Sequence, residues 1–161
     1  MPGRKGSAYM KFIIEKLKPY IDKTYRTNPF RSYTFVGGSS LGGISAFMIA
    51  WEYPTLFSKA ICMSSAFKYQ NDKGKIVVDY VKRVRASEQP KESLFFYIDN
   101  GGDAIDSELQ PGIDEMLKEL QQKGFQADRD YVWVHDKNAK HFEADWARRF
   151  PEAIRSLFIP K

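Results

Sequence analysis

The sequence contains one cysteine, Cys62, among its 161 residues. A single cysteine forms no internal disulfide and supplies no thiolate pair, which excludes secreted disulfide scaffolds and cysteine-based zinc sites. Long apolar runs are also missing: the longest, at 44–51, is interrupted by Ser45 and is far shorter than the ~20 residues that span a bilayer. No apolar stretch follows the basic N-terminal residues, so no secretory signal is predicted. We therefore expect a cytoplasmic protein with no membrane segment.

Charge of one sign is not concentrated in any part of the chain. The 25 Lys and Arg exceed the 20 Asp and Glu by only five, and basic residues such as Lys16 and Arg149 have acidic neighbours. Interspersed charge of this kind is typical of a solvated surface, so we expect no nucleic-acid partner. A basic nucleic-acid-binding module is the alternative, which a salt-sensitive gel shift would reveal.

Large apolar side chains are abundant enough for one folded domain over residues 1–161. The chain is 43% hydrophobic and 15% aromatic, which excludes a disordered or collagen-like protein. Its length suits a single domain, and it contains no internal repeat or low-complexity linker.

Short β-rich runs alternate with amphipathic segments. We predict strands at 33–36, 60–63, 94–98 and 131–134, helices at 9–25, 41–53, 76–84 and 111–123 and after 141, and a loop at 68–75. Pro19 is expected to kink or divide the first helix, Pro111 to begin its helix and Pro151 to break the last one. Because this alternation needs crossover connections, it predicts a three-layer α/β sandwich with a short parallel sheet.

A G-x-S-x-G motif, residues 38–42, lies between the first predicted strand and the following helix. The sharp turn of this motif raises its serine hydroxyl above the sheet, and we expect a side chain at either flanking glycine to collide with neighbouring backbone. Ser40 is therefore the candidate nucleophile, and Ser39 is out of frame. Since glycine and serine are common turn residues, it is the strand and helix around the motif that favour catalysis.

A nucleophilic serine requires a base, and the sequence offers only two histidines. His141 lies in a loop that opens the last helix, where an imidazole can reach the strand ends. His135 continues the fourth strand and suits an ordinary strand-end position. We therefore favour His141.

Three carboxylates follow the third strand and are candidates for the acid that orients the base. Asp99 lies at the strand end and suits a bracing role, whereas Asp103 and Asp106 are better placed to reach outwards. The resulting chain order of serine, aspartate and histidine is that of α/β-hydrolases. Clustered acids in a glycine-rich loop are more typical of a solvated loop than of a cation site, so we expect no metal.

Two further residues have alternative roles at the predicted strand ends. Ser64 follows the second strand and Trp146 lies beside the histidine loop. In these positions they shape an acyl or alcohol pocket or serve as packing residues, and the sequence leaves both interpretations open.

Four stretches carry a family resemblance: FIIEKLKPYIDKTYRT, TFVGGSSLGGISAFMIAWEYPTLFSKAICMSSAF, FFYIDNGGDAIDSELQPGIDEMLKELQQKGF and AKHFEADW. They cover nearly the whole chain and resemble the α/β-hydrolase esterases related to esterase D, S-formylglutathione hydrolase, feruloyl esterase and enterochelin esterase domains. The resemblance implies a serine carboxylesterase acting on small acyl esters without a cofactor. Ser40 matches the nucleophile, His141 the base and Leu41 the donor of an oxyanion-hole N–H. The resemblance favours Asp106, which lies shortly before LQP, as the acid, with Asp103 as the second choice.

The resemblance also predicts a truncated form of this fold. Relatives have further strands before the nucleophile strand, and a loop after one of them supplies the second oxyanion donor, whereas 39 residues precede Ser40 here. The chain is then either a fragment or a reduced hydrolase whose second donor comes from elsewhere. Losing one donor typically costs about 10²–10³ in rate, so we expect weak esterase activity. The alternative is a weak or silent hydrolase fragment that serves binding or assembly.

The same departure predicts an exposed sheet edge. Without its usual neighbours, the first strand presents unpaired backbone groups, and such edges pair with other chains. We therefore expect a homo-oligomer that forms through this edge.

Overall fold

Six strands and six helices make up the computed structural model of the chain, which describes residues 4–71 and 73–158. In chain order they are α1 (Arg4–Phe12), α2 (Lys18–Thr24), β1 (Phe35–Ser39), α3 (Leu41–Glu52), β2 (Lys59–Met63), β3 (Lys68–Gln70), β4 (Ile76–Asp79), α4 (Tyr80–Ala86), β5 (Phe95–Asn100), α5 (Ala104–Gln122), β6 (Tyr131–His135) and α6 (Glu143–Ser156). None of the helices in the described part of the chain is long and apolar enough to cross a membrane.

A parallel four-stranded sheet in the order β1-β2-β5-β6 forms the middle layer. Side chains alternate between its faces, as the pleat of a strand requires. In β2, Ala60 and Cys62 pack in the larger core with α3 and α5, whereas Ile61 and Met63 pack in the smaller core with α6. Helices therefore cover both faces, and the predicted three-layer α/β class is confirmed.

The first helical region is divided, as its proline predicts. A π-helical turn, Ile13–Leu17, joins α1 to α2, and Pro19 lies in the first turn of α2. Met10 is buried, but Leu17 and Tyr20, which share one helical stripe with it in the sequence, are exposed. The π turn takes more residues per turn than an α-helix, so it rotates later side chains out of that stripe.

The predicted loop at 68–75 is wrong, and the predicted helix at 76–84 is confirmed only from residue 80. Instead, the antiparallel strands β3 and β4 pair at 68–70 and 76–79, and Gly74 between them has a φ of +70°. The helix begins only at Tyr80, because the Asp79 carboxylate caps it by accepting a hydrogen bond of 2.8 Å from Lys82 N–H. An apolar run this short satisfies the period of a strand as well as that of a helix.

Two helices extend past prolines that were expected to bound them. Helix α5 begins at Ala104 because the Asp103 side chain caps it, so Pro111 lies inside the helix rather than in its first turn. Helix α6 continues through Pro151, and buried Arg149 and Ala153 on either side of the proline hold it against the sheet. Packing of this kind outweighs the single hydrogen bond that an internal proline removes.

The turn between β1 and α3 determines where the motif serine lies. Ser40 has a φ of +55°, and its N–H donates a 2.9 Å hydrogen bond to the Met63 carbonyl at the end of β2. A Cβ at Gly38 would approach the backbone carbon and oxygen of Gly42 to 2.5 Å. The expectation of a similar collision at Gly42 is wrong, because no described atom outside its own helix turn lies within 4 Å of a Cβ built there.

Strand β1 forms one edge of the sheet, where β2 is its only partner among the residues the structure describes. The Thr34 carbonyl and the Ser40 N–H both bond to the β2 side. Since backbone groups alternate in direction along a strand, those of Phe35, Gly37 and Ser39 point away from β2. Association through this edge stays a prediction.

We expect Gly38→Ala to lower the free energy of unfolding by about 1–3 kcal/mol, because its methyl group meets backbone that has no room to move. Gly42→Ala is the matched control. It is expected to be neutral or stabilising by about 0.5–1 kcal/mol, because alanine favours a helix more than glycine does. Urea unfolding of both variants measures the difference, and equal destabilisation would contradict this account of the turn.

Edge pairing of β1 predicts association between copies of the chain. Light scattering at micromolar concentration should give about twice the chain mass of 18.6 kDa, decreasing on dilution, because pairing satisfies the outward backbone groups. A mass of one chain at every concentration tested would refute the prediction.

Candidate active site

Three side chains from distant parts of the sequence form one chain of hydrogen bonds at the carboxyl end of the sheet. The Ser40 hydroxyl lies 3.0 Å from His141 Nε2, and His141 Nδ1 lies 2.8 Å from Asp106 Oδ1. An ionised carboxylate only accepts hydrogen bonds, so Nδ1 carries the proton and Nε2 accepts from the serine. The structure thus brings together the predicted nucleophile, base and first-choice acid, in a geometry suited to nucleophilic chemistry.

Asp106 is completely buried in the first turn of α5. Its Oδ2 accepts a 2.9 Å hydrogen bond from Gly101 N–H, and its carbonyl accepts one of 2.8 Å from the Asn100 side chain. A Cβ at Gly101 would overlap Oδ2, so only glycine allows the loop after β5 to approach this closely. Both oxygens of the Asp106 carboxylate are therefore held, one by the imidazole and one by the backbone.

Asp103 contacts the backbone of its neighbours rather than the imidazole. One of its oxygens accepts from Asp106 N–H and the other from His141 N–H, each at 2.9 Å. Burial raises the pKa of Asp103, but these two hydrogen bonds and nearby positive charge, including that of Lys140, together keep the pKa below its usual value. Asp103 thereby fixes the histidine loop to the start of α5.

His135 and Asp99, the weaker candidates for the base and the acid, lie outside this chain of hydrogen bonds. His135 Nε2 lies 3.0 Å from the Gly101 carbonyl, away from the serine. Asp99 forms a buried ion pair with Arg149, in which its Oδ2 is 2.9 Å from Arg149 Nε. Burial raises the pKa of Asp99, and the guanidinium acts in the opposite direction. Arg149, which was expected among the charges of the solvated surface, is buried instead; the signal of its role was its three-residue spacing from Trp146 on the apolar face of the last helix.

Leu41 is the first residue of α3, directly after Ser40. The first N–H groups of a helix have no acceptor within the helix, and they lie at the positive end of its dipole. In the part of the chain that the structure describes, no acceptor is assigned to the Leu41 N–H, so it is available to an anion beside the Ser40 hydroxyl. Its side chain is 65% exposed.

Ser64 and Trp146 contact each other beneath the histidine. Ser64 is completely buried, and its hydroxyl accepts hydrogen bonds of 3.0 Å from Trp146 Nε1 and 3.2 Å from Arg149 Nη2. For Ser64 this placement favours packing over substrate contact. The half-buried Trp146 ring stands edge-to-face with the His141 ring, with centroids 4.9 Å apart.

Within residues 4–71 and 73–158, no three histidine, cysteine, aspartate or glutamate side chains are grouped so as to hold a metal ion. The one cysteine, Cys62, is buried in the larger core, and burial raises the pKa of its thiol well above the usual value.

Comparisons with known proteins relate the chain to esterases. Residues 2–157 match the sequence profile of a family described as "Putative esterase". The Bacillus subtilis (strain 168) protein YbbA is 22% identical over 163 residues, which cover 97% of this chain and 61% of YbbA.

Solved structures share the fold. The enterobactin esterase of Shigella flexneri superposes with a TM-score of 0.77 at 16% identity, over 94% of this chain and 38% of that one. A ferulic acid esterase superposes with a TM-score of 0.70 at 21% identity, over 92% of this chain and 61% of that one. The chain thus spans 38–61% of the length of these relatives. With the profile covering nearly every residue and the α/β-hydrolase fold in common, the chain belongs to the "Putative esterase" family.

Proposed function

We propose that the protein is a serine carboxylesterase that hydrolyses small acyl esters through an acyl-enzyme. The observation that carries this proposal is the continuous hydrogen-bond chain from Ser40 through His141 to Asp106, with distances of 3.0 and 2.8 Å. Membership of the family supports an ester as the substrate. Enterobactin and ferulic acid appear in the names of the structural neighbours, and they do not define the substrate of this chain.

The proposed reaction has two steps, and in each of them one proton passes through the imidazole. His141 Nε2 takes the Ser40 proton while the serine oxygen attacks the ester carbonyl, and Asp106 stabilises the imidazolium. The Leu41 N–H donates to the negative carbonyl oxygen of the tetrahedral intermediate. The intermediate collapses as His141 returns the proton to the departing alcohol. Water then attacks the acyl-enzyme while His141 Nε2 takes its proton. That proton returns to the Ser40 oxygen as the acid departs.

The surroundings of the site support an apolar substrate group and a modest rate. Leu41, Ile105 and Phe142 are each next in sequence to a member of the hydrogen-bond chain, and all three are more than half exposed. One oxyanion donor, the Leu41 N–H, is assigned here. The loss of one such donor from an enzyme typically costs about 10²–10³ in rate. We therefore expect slow turnover of simple esters.

Ser40→Ala should reduce hydrolysis of p-nitrophenyl acetate by about 10³-fold or more, to the background rate, because no other group supplies the nucleophile. Ser39→Ala is the matched control, and we expect it to stay within a few-fold of wild type. Because the proposal is for small acyl groups, p-nitrophenyl acetate should be hydrolysed faster than p-nitrophenyl esters with longer acyl chains. Wild-type turnover no higher than that of Ser40→Ala would favour the silent hydrolase fragment.

Replacing each candidate acid by its amide separates their roles. We expect Asp106→Asn to lower kcat by about 10⁴, because an amide no longer holds the imidazole in the required tautomer. Asp103→Asn should cost less than about tenfold, because the amide oxygen still caps α5 and only the hydrogen bond from His141 N–H is lost, whereas Asp106 still contacts the imidazole. Steady-state kinetics of both variants measures this, and the opposite order would make Asp103 the acid.

A further inference from the structure

Hydrogen bonds hold both nitrogens of the His141 imidazole, but they do not by themselves fix the tilt of its ring plane. Hydrogen bonds to Ser40 and Asp106 fix the positions of Nε2 and Nδ1. Small changes in χ1 and χ2 tilt the ring with little change in either distance, and they alter the direction of the Nε2 lone pair relative to the serine. Groups that pack against the ring limit this tilt. The Trp146 ring stands against the imidazole with an interplanar angle of 81°.

The Trp146 ring is itself fixed by a buried hydrogen bond. Its Nε1–H donates to Ser64 Oγ at 3.0 Å, and Ser64 is completely buried with a φ of +43°. Ser64 N–H donates to the Asp99 carbonyl at 2.9 Å and to its carboxylate at 3.1 Å. The acceptor for the indole is therefore anchored in the sheet through its own backbone.

A buried ion pair completes this support. Arg149 binds Asp99 through Nε at 2.9 Å and Nη2 at 3.2 Å, and the same Nη2 reaches Ser64 Oγ at 3.2 Å. The two side chains are only 5% and 0% exposed. Separating Arg149 from Asp99 would leave an unpaired charge in the interior, which is strongly unfavourable. The network therefore behaves as a rigid base for the indole.

We propose that Trp146 is a positioning residue that sets the tilt of the His141 imidazole for proton transfer from Ser40, supported by Ser64 and the Arg149–Asp99 pair. The proposal rests on the proposed esterase function and deepens it. It differs from a role of Trp146 in lining the substrate pocket, because positioning affects kcat whereas lining affects KM.

Three variants test the proposal by p-nitrophenyl acetate kinetics. Trp146→Leu should lower kcat about tenfold, the rate equivalent of one aromatic contact, with KM within about twofold. Trp146→Phe keeps a ring against the imidazole but loses the hydrogen bond to Ser64, so it should recover only part of that loss. Trp133→Phe is the matched control, since Trp133 packs on His135 instead, and should leave kcat unchanged. A raised KM with kcat retained in Trp146→Leu would overturn the proposal in favour of a substrate contact.

A second readout does not depend on turnover. The chain has two histidines, so the imidazole NMR signals are those of His135 and His141 alone. In Trp146→Leu the His141 signal should broaden or double while that of His135 stays as in wild type, and Trp133→Phe should affect only His135. A single sharp His141 signal in Trp146→Leu would overturn the proposal even if the wild type proved inactive. If Trp146→Leu fails to fold, a Trp146→Phe variant with wild-type kcat and an unchanged His141 signal overturns it instead.

Discussion

The close approach of Gly38 to the backbone of Gly42 is the constraint on which the site depends. It permits a turn so tight that Ser40 takes a φ of +55°, a conformation that costs a non-glycine residue roughly 1–3 kcal/mol. The surrounding structure maintains this strain, because most of α3 is buried and the Ser40 N–H is bonded to the end of β2. The result is a hydroxyl held at the carboxyl edge of the sheet, where loops from other strands can reach it.

The other half of the site depends on the start of one helix. Asp103 caps α5 and holds the backbone of the histidine loop, and Asp106, one turn later, holds the imidazole itself. A single helix start therefore fixes both the position and the tautomer of His141. Beneath it, the Arg149–Asp99 pair joins α6 to β5, so the two supports lie on different elements of the fold.

The sequence was sufficient for the parallel sheet and for the central residues of the site. Apolar runs at 60–63 and 94–98 mark buried strands, and the motif around Ser40 lies where a strand meets a helix. Tertiary contacts decided the rest. Whether Asp103 or Asp106 faces the imidazole depends on where α5 begins, and the Asp103 cap overrode the signal of Pro111. The buried role of Arg149 follows from packing of α6, which charge patterning alone does not reveal.

The central claim is that one hydroxyl in this chain is activated as a nucleophile, and a covalent probe tests it most directly. The native protein is treated with a fluorophosphonate, and peptide mass spectrometry then locates the adduct. We predict one adduct per chain, on Ser40 in the peptide containing residues 38–42. Among the residues the structure describes, this hydroxyl alone is bonded to an imidazole that a carboxylate orients. An adduct on Ser39 or Ser64, or no adduct with the folded protein, would contradict it.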